Sequence, residues 1–202
     1  MRGLALSLTL IWAGAASAQT TEKLVVPSYP ASIPWTQVTD ERQGVRALQE
    51  WIPAEETLDD YRDILAVQTY PMTDGLTPEG YLKGMFRQIG GACTGLRVNG
   101  PVSRSEGGYP VAYAQVYCGH QKGQAFGVNM LLKVIQGREA LYAINRDLRV
   151  PPSSVGGVQS FDAKDKDALL DLMKRQGEAD RFLSDGVYLC GPDGSDPRCR
   201  AE

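Results

Sequence analysis

The sequence predicts an α+β fold: an antiparallel meander sheet, two main helices packed on one face of it, and two disulfides. Three observations point there. Four apolar runs, 95–102, 110–118, 124–135 and 139–148, are separated by short turns rich in glycine, the pattern of successive hairpins. Two further segments, one opening at Thr77 and one near Asp162, place their apolar residues at helical spacing. Four cysteines, Cys93, Cys118, Cys190 and Cys199, make an even set behind what reads as an export signal.

That signal comes first in the chain. Met1-Arg2 gives a positive start, an apolar run extends from Gly3 to about Ala16, and the small-residue triplet Ala16-Ser17-Ala18 precedes Gln19. This is the layout of a cleaved signal peptide over residues 1–18. The run is short of the roughly 20 apolar residues a spanning helix needs, and Ser7, Thr9 and Gly14 interrupt it. Cleavage leaves residues 19–202 as a single α+β domain, in the periplasm or secreted, with no stable membrane insertion expected. Loss of Arg2 moves the formal net charge from −3 to near −4, a mild balance that gives no support for nucleic acid as a partner.

The elements follow in order. Glu22–Val26 reads as a short strand. Pro27, Pro30 and Pro34 then force an extended strap past Tyr29 to Trp35. Arg46–Ile52 and Ile64–Tyr70 read as strands around the acidic connector Glu55-Glu56-Thr57-Leu58-Asp59-Asp60. Thr77 is placed to cap a helix with Pro78 at its first position, Tyr81, Leu82, Met85, Phe86 and Ile89 on one face, and Gly90-Gly91 at its end. After the four meander strands, the loop 151–157 leaves the sheet. The second helix runs from near Asp162 to about Ser184, with Leu169, Leu172, Met173, Gln176, Ala179 and Leu183 facing inward and Phe182 adjacent. Val187-Tyr188-Leu189 leads into a terminal disulfide loop, after which the chain is expected to fray.

Two local arguments choose among the three possible cysteine pairings. A hairpin across residues 103–109 sets Val102 opposite Pro110 and Thr94 opposite Cys118, leaving Cys93 one residue from register with Cys118. Cys190 and Cys199 enclose a segment dense in turn-formers, Gly191-Pro192-Asp193-Gly194-Ser195-Asp196-Pro197-Arg198. The expected bridges are therefore 93–118 and 190–199, each worth roughly 3 kcal/mol in the chain-entropy model. No Cys-x-x-Cys occurs, so a redox or zinc centre is disfavoured.

The run Glu50-Trp51-Ile52-Pro53-Ala54-Glu55-Glu56 followed by 64–70, and the ending Val187-Tyr188-Leu189-Cys190-Gly191-Pro192 with a final cysteine, resemble exported proteins of proteobacteria. The order of elements over residues 22–190 is similar to the Mog1/PsbP/DcrB-like fold. That resemblance implies a small non-enzymatic accessory or binding protein, and it carries over no functional residues.

The chemistry-bearing residues are few. His120 is the one histidine, which excludes two-histidine metal or acid–base sites; it sits in a tight turn after Cys118-Gly119 and reads as solvent-facing. Glu55, Glu56, Asp59, Asp60 and Asp63 crowd one connector. Paired carboxylates run glycoside hydrolysis, but adjacent ones in a connector read as a solvated charge run. Asp162, Asp165, Asp167 and Asp171 complement a helix start, and Asp193-Gly194-Ser195-Asp196 misses the spacing of a calcium loop. No phosphate-cradling or dinucleotide motif occurs, and no cofactor or metal is expected.

Tyr109, Tyr113 and Tyr117 alternate along one strand and share a face with Val111 and Gln115. Exposed, they form a platform for a glycan or a partner protein; beneath the second helix they are core, the favoured reading. With His120 they are the candidate binding residues. The function expected is an exported periplasmic binding or accessory protein of the envelope, acting without catalysis on an envelope protein or glycan. The alternatives are a small exported hydrolase using carboxylates, or an inhibitor or immunity protein inserting the 190–199 loop or the 103–109 turn.

Overall fold

The computed structural model describes residues 22–27, 34–154, 166–192, 194 and 196–200. The expected signal peptide, Pro30 of the strap, the end of the 151–157 loop, the helix start at Asp162, and Asp193 and Ser195 of the calcium-like run lie outside the described residues.

The chain forms β1 (Lys23–Val25), β2 (Trp35–Gln43), β3 (Arg46–Pro53), β4 (Asp63–Pro71), α1 (Pro78–Ala92), β5 (Cys93–Glu106), β6 (Tyr109–Gln121), β7 (Gly127–Gln136), β8 (Ala140–Val150), α2 (Lys166–Arg181), a π-turn (Phe182–Gly186), β9 (Tyr188–Cys190) and a 3₁₀ turn (Pro197–Arg200). Seven strands make one sheet in the order β2-β3-β4-β8-β7-β6-β5, while β1 and β9 pair as a separate ribbon. All the pairings are antiparallel. β5 to β8 form the expected meander, but the whole sheet is not one: α1 carries the chain from β4 to the far edge, and the meander returns until β8 meets β4. β2, whose start was read as a proline-rich strap, is a nine-residue edge strand joined to β3 through Gly44 at φ +61°. Among the described residues, no helix is long and apolar enough to cross a membrane.

α1 forms as its sequence requires. The Thr77 side chain accepts a hydrogen bond from the Gly80 amide at 3.0 Å, and Pro78 occupies the first turn. Leu82 is fully buried, with Tyr81, Met85, Phe86 and Ile89 packed beside it on Ala112, Ala114, Val116, Leu132, Val134, Leu141 and Ala143. Tyr81 reaches Tyr70 Oη and Gln68 Oε1 at 3.2 and 3.3 Å, tying the helix to β4.

α2 lies on the other side. Leu172 and Ala179, with Phe182, Leu183 and Val187, pack on Val111, Leu131, Ile135, Ile144 and Leu148, which alternate with the residues beneath α1. The expectation of two helices on one face is therefore wrong. Each strand of the sheet centre is apolar on both faces, so each face needs its own cover. The β1–β9 ribbon adds Leu24 and Leu189 to the α2 side. Met173, expected to face inward, is 60 % exposed, because the buried stripe of α2 narrows to Leu172 and Ala179.

Beneath α2 the core holds ions. Lys133 has no exposed surface; its ammonium donates to Glu106 Oε2 at 2.8 Å and to the carbonyls of Leu183 and Val187 at 2.9 and 2.5 Å. It thus satisfies carbonyls that the π-turn leaves open at the end of the helix. Arg146 and Asp63, 1 % and 3 % exposed, pair through two hydrogen bonds, one of them Nε to Oδ1 at 2.8 Å. Asp63 does not belong to a solvated charge run: it opens β4 and points inward. Glu56 of the same connector accepts from the Arg62 amide and guanidinium at 2.7 and 2.6 Å.

Both expected disulfides form, Cys93–Cys118 and Cys190–Cys199, with Cα separations of 5.5 and 5.7 Å, and no cysteine is free. The register that suggested the first differs. The turn is the two-residue Gly107-Gly108, so Glu106 pairs with Tyr109, Val102 with Tyr113, and Cys93 with Gln121. The bridge therefore runs diagonally across the pair. Between Asn99 and Val102 one extra residue interrupts the ladder. Gly100 sits there at φ +101°, and a Cβ would lie 2.8 Å from the Tyr113 carbonyl oxygen.

Candidate functional site

The bulge in β5 makes the site. It adds one residue, so Val102, Arg104 and Glu106 share the face of Arg97 and Asn99 instead of falling on the opposite one. All five then look toward α2 from the open edge of the sheet. Beside them a cleft of about 220 Å³ opens between the bulge and the end of α2, lined by Asn99, Val102, Tyr113, Gln115, Leu131, Asp180 and Leu183 among others. Val102 at its mouth is 63 % exposed. A larger depression of about 360 Å³ lies at the β2–β3 hairpin, walled by the exposed Glu41, Arg42 and Arg46 among others.

Tyr113 anchors one wall. Its hydroxyl donates to Glu106 Oε1 at 2.6 Å and accepts from Arg104 Nη2 at 2.8 Å, while the Arg104 guanidinium lies 4.3 Å from its ring centroid. Burial and the bond to Glu106 raise the phenol's pKa well above its usual value. Burial alone would raise the Glu106 carboxyl too, but hydrogen bonds from Lys133 and Tyr113 hold it below the usual range. Burial likewise lowers Lys133, and Glu106 opposes that. The phenol is thus fixed and neutral, and serves as wall.

Beyond Tyr113 along β6 come Gln115 and Tyr117, both half-buried on the same face. The ladder sets Tyr117 between Arg97 of β5 and Asn129 of β7, and Gln115 between Asn99 and Leu131. Asn129 is 4 % exposed. The cleft itself offers the amides of Asn99 and Gln115, the Tyr113 side chain and the apolar Leu131 and Leu183.

The four candidate binding residues divide. Tyr113 lines the cleft, whereas Tyr117 lies further along the same face of β6, opposite Arg97 and Asn129. Tyr109, 6 % exposed, packs in the core beneath the π-turn. His120 lies at the end of β6 opposite Thr94, on the other face of the strand, with Nε2 2.8 Å from the Gln124 carbonyl oxygen. Gln115 shares the tyrosine face already in the sequence, whereas Asn99 and Asp180 are not legible there. The available signal was Gly100-Pro101 inside an apolar run, which marks a bulge.

The two loops suggested as inserting elements lie against each other. Arg198 of the terminal loop holds Asp196 through Nε and Nη2 at 2.9 and 2.6 Å and comes within 3.9 Å of Glu106 at the hairpin tip. Any side chain at Gly107 would strike Asp196. Among the described residues, no group of three or more metal-ligating side chains occurs.

Comparison with known proteins adds little. No family model matches the chain, and no curated protein does. Among solved structures it is similar to LpqN, a protein involved in cell envelope biogenesis of Mycobacterium tuberculosis, with a TM-score of 0.37, 12 % identity, and coverage of 86 % of this chain and 87 % of that one. At that score and identity the likeness assigns neither family nor function.

Proposed function

We propose that the chain is an extracytoplasmic binding or accessory protein of the cell envelope, a single domain of residues 19–202 left by signal cleavage, in the periplasm or secreted. The observation that carries the binding reading is the cleft beside α2, pre-formed by the β5 bulge and walled by a tyrosine fixed at three points. Closure of all four cysteines into two disulfides supports an oxidising compartment. Photo-crosslinkers at Gln115 and at Leu58, which is remote in the acidic connector, test this in the exported chain. Adducts at Gln115 alone support the reading, and equal labelling or none at either overturns it.

The hydrolase alternative draws on a different observation. Burial and the charge of Glu50 raise the Asp147 carboxyl to about 6, while a hydrogen bond from Asn145 at 2.9 Å opposes them. A carboxyl poised near neutrality is suited to acid–base work. Hydrolysis of model glycosides that disappears in Asp147→Asn would select this reading.

A further inference from the structure

We infer that the β5 edge of the sheet docks onto an anionic phospholipid surface, through cations set on both sides of that edge. This goes beyond the binding-protein reading and rests on cations that do not line the cleft. The net charge conceals how the charges are segregated. Of 21 basic and 24 acidic residues, the stretch 80–138 holds seven basic ones and Glu106 as its one acid, leaving 14 against 23 for the rest of the chain. That stretch runs from α1 through β7, and α1 packs on these strands at one end of the sheet. The molecule is therefore a dipole, positive at the β5 end and acidic elsewhere.

Five of the cations surround β5, all of them exposed. Glu79, Lys83, Arg87 and Gly90 form one stripe of α1 at helical spacing. Glu79 comes within 3.5 Å of the Ser103 hydroxyl, and a Cβ at Gly90 would lie 3.6 Å from Leu96, so this stripe borders β5. Lys122 stands at its far end, its ammonium donating to the Gly91 carbonyl at 2.9 Å. Arg97 and Arg104 project from β5 on the α2 side. Glu79 and Glu106 balance Lys83 and Arg104, whereas among the described residues no carboxylate pairs with Arg87, Arg97 or Lys122.

Placement chooses the partner. Cations on both sides of one strand cannot converge on a single small anion, and a linear polyanion along either side meets one set alone. A flat anionic layer meeting the edge end-on reaches both, and clusters of roughly four to eight cations are what such layers attract. Val102, 63 % exposed on the Arg97 side, gives the contact an apolar tip. None of the exposed large apolar residues among those described is aromatic, so a stacking platform for single-stranded nucleic acid is missing there.

The test is cosedimentation of the mature, disulfide-bonded chain with vesicles of phosphatidylcholine alone or mixed equally with phosphatidylglycerol, across a salt series. Binding is expected to the mixed vesicles alone, weakening as salt rises. Arg87→Glu and Arg97→Glu, one from each side of the edge, should each weaken it about tenfold. Both side chains are exposed, so the urea midpoint should stay at the wild-type value. Arg42→Glu combined with Arg46→Glu places two such reversals at the β2–β3 hairpin and should leave binding within about twofold, because the effect of a charge fades within a Debye length. Equal weakening by that distant pair would mean that net charge alone attracts the chain, and would overturn the inference. So would an effect of only one of the two single variants, tighter binding to the linear polyanion polygalacturonate than to the mixed vesicles, or no vesicle binding at low salt.

Discussion

The two faces of the sheet are built on different principles. Under α1 the contact is largely hydrocarbon, with Leu82 at its centre and a capped helix that would be recognised anywhere. Under α2 the hydrocarbon surrounds two buried cations, each needing a partner from a distant part of the chain: Lys133 from Glu106 and the π-turn, Arg146 from Asp63. A hydrocarbon contact tolerates local error, because neighbouring side chains shift to fill space. An ionic contact specifies which loop must arrive, because a lone buried charge is severely penalised.

The largest effect should come from breaking that specification. Asp63→Ala leaves Arg146 buried without its carboxylate and is expected to cost about 3–5 kcal/mol, read as a fall in the urea midpoint. A loss below about 1 kcal/mol would mean that the α2 face is held like the other. Leu82→Ala probes the α1 face and should cost about 2–5 kcal/mol, toward the lower end if Tyr81 and Met85 close the void. Gly100→Ala combines an unfavourable φ with a clash at the Tyr113 carbonyl and should cost about 1–3 kcal/mol. It should also weaken ligand binding at the cleft.

A pH series separates the faces in another way. Asp147 lies across from Met130, on the α1 side, and its carboxyl sits near 6 against about 3.9 in the unfolded chain. A raised folded value means that its contribution is fully present below about 3.9 and is lost as pH climbs through 6. Asp147→Asn should therefore unfold at a higher midpoint than wild type at pH 7, with the gap closing as pH falls toward 4. A gap independent of pH would show that burial does not govern this group. The smallest change is expected at Met173, where Met173→Lys should stay within about 0.5 kcal/mol because the side chain faces solvent.

The same contrast explains what was legible in the sequence. α1, the meander and both disulfides announce themselves through local signals: a cap, a period of 3.6, glycine turns and cysteine spacing. Lys133 and Arg146 do not, because a cation within an apolar run reads as an outward position, and only its partners reveal that it is buried. β2 was missed because the consecutive Asp40, Glu41 and Arg42 are exposed on both of its faces, which hides the alternation of an edge strand. The cleft was half legible. Tyr113 and Gln115 followed from parity, whereas Asn99 joined them only through a one-residue bulge.

The ribbon of β1 and β9 ties residues 23–25 to residues 188–190, and the Glu22 carboxylate accepts from the Arg138 amide at 2.8 and 2.9 Å. Two strands far apart along the chain thus complete each other. Such a non-local seam closes only after the segments between its two strands have been brought into place, so it reports completion of the fold rather than its start.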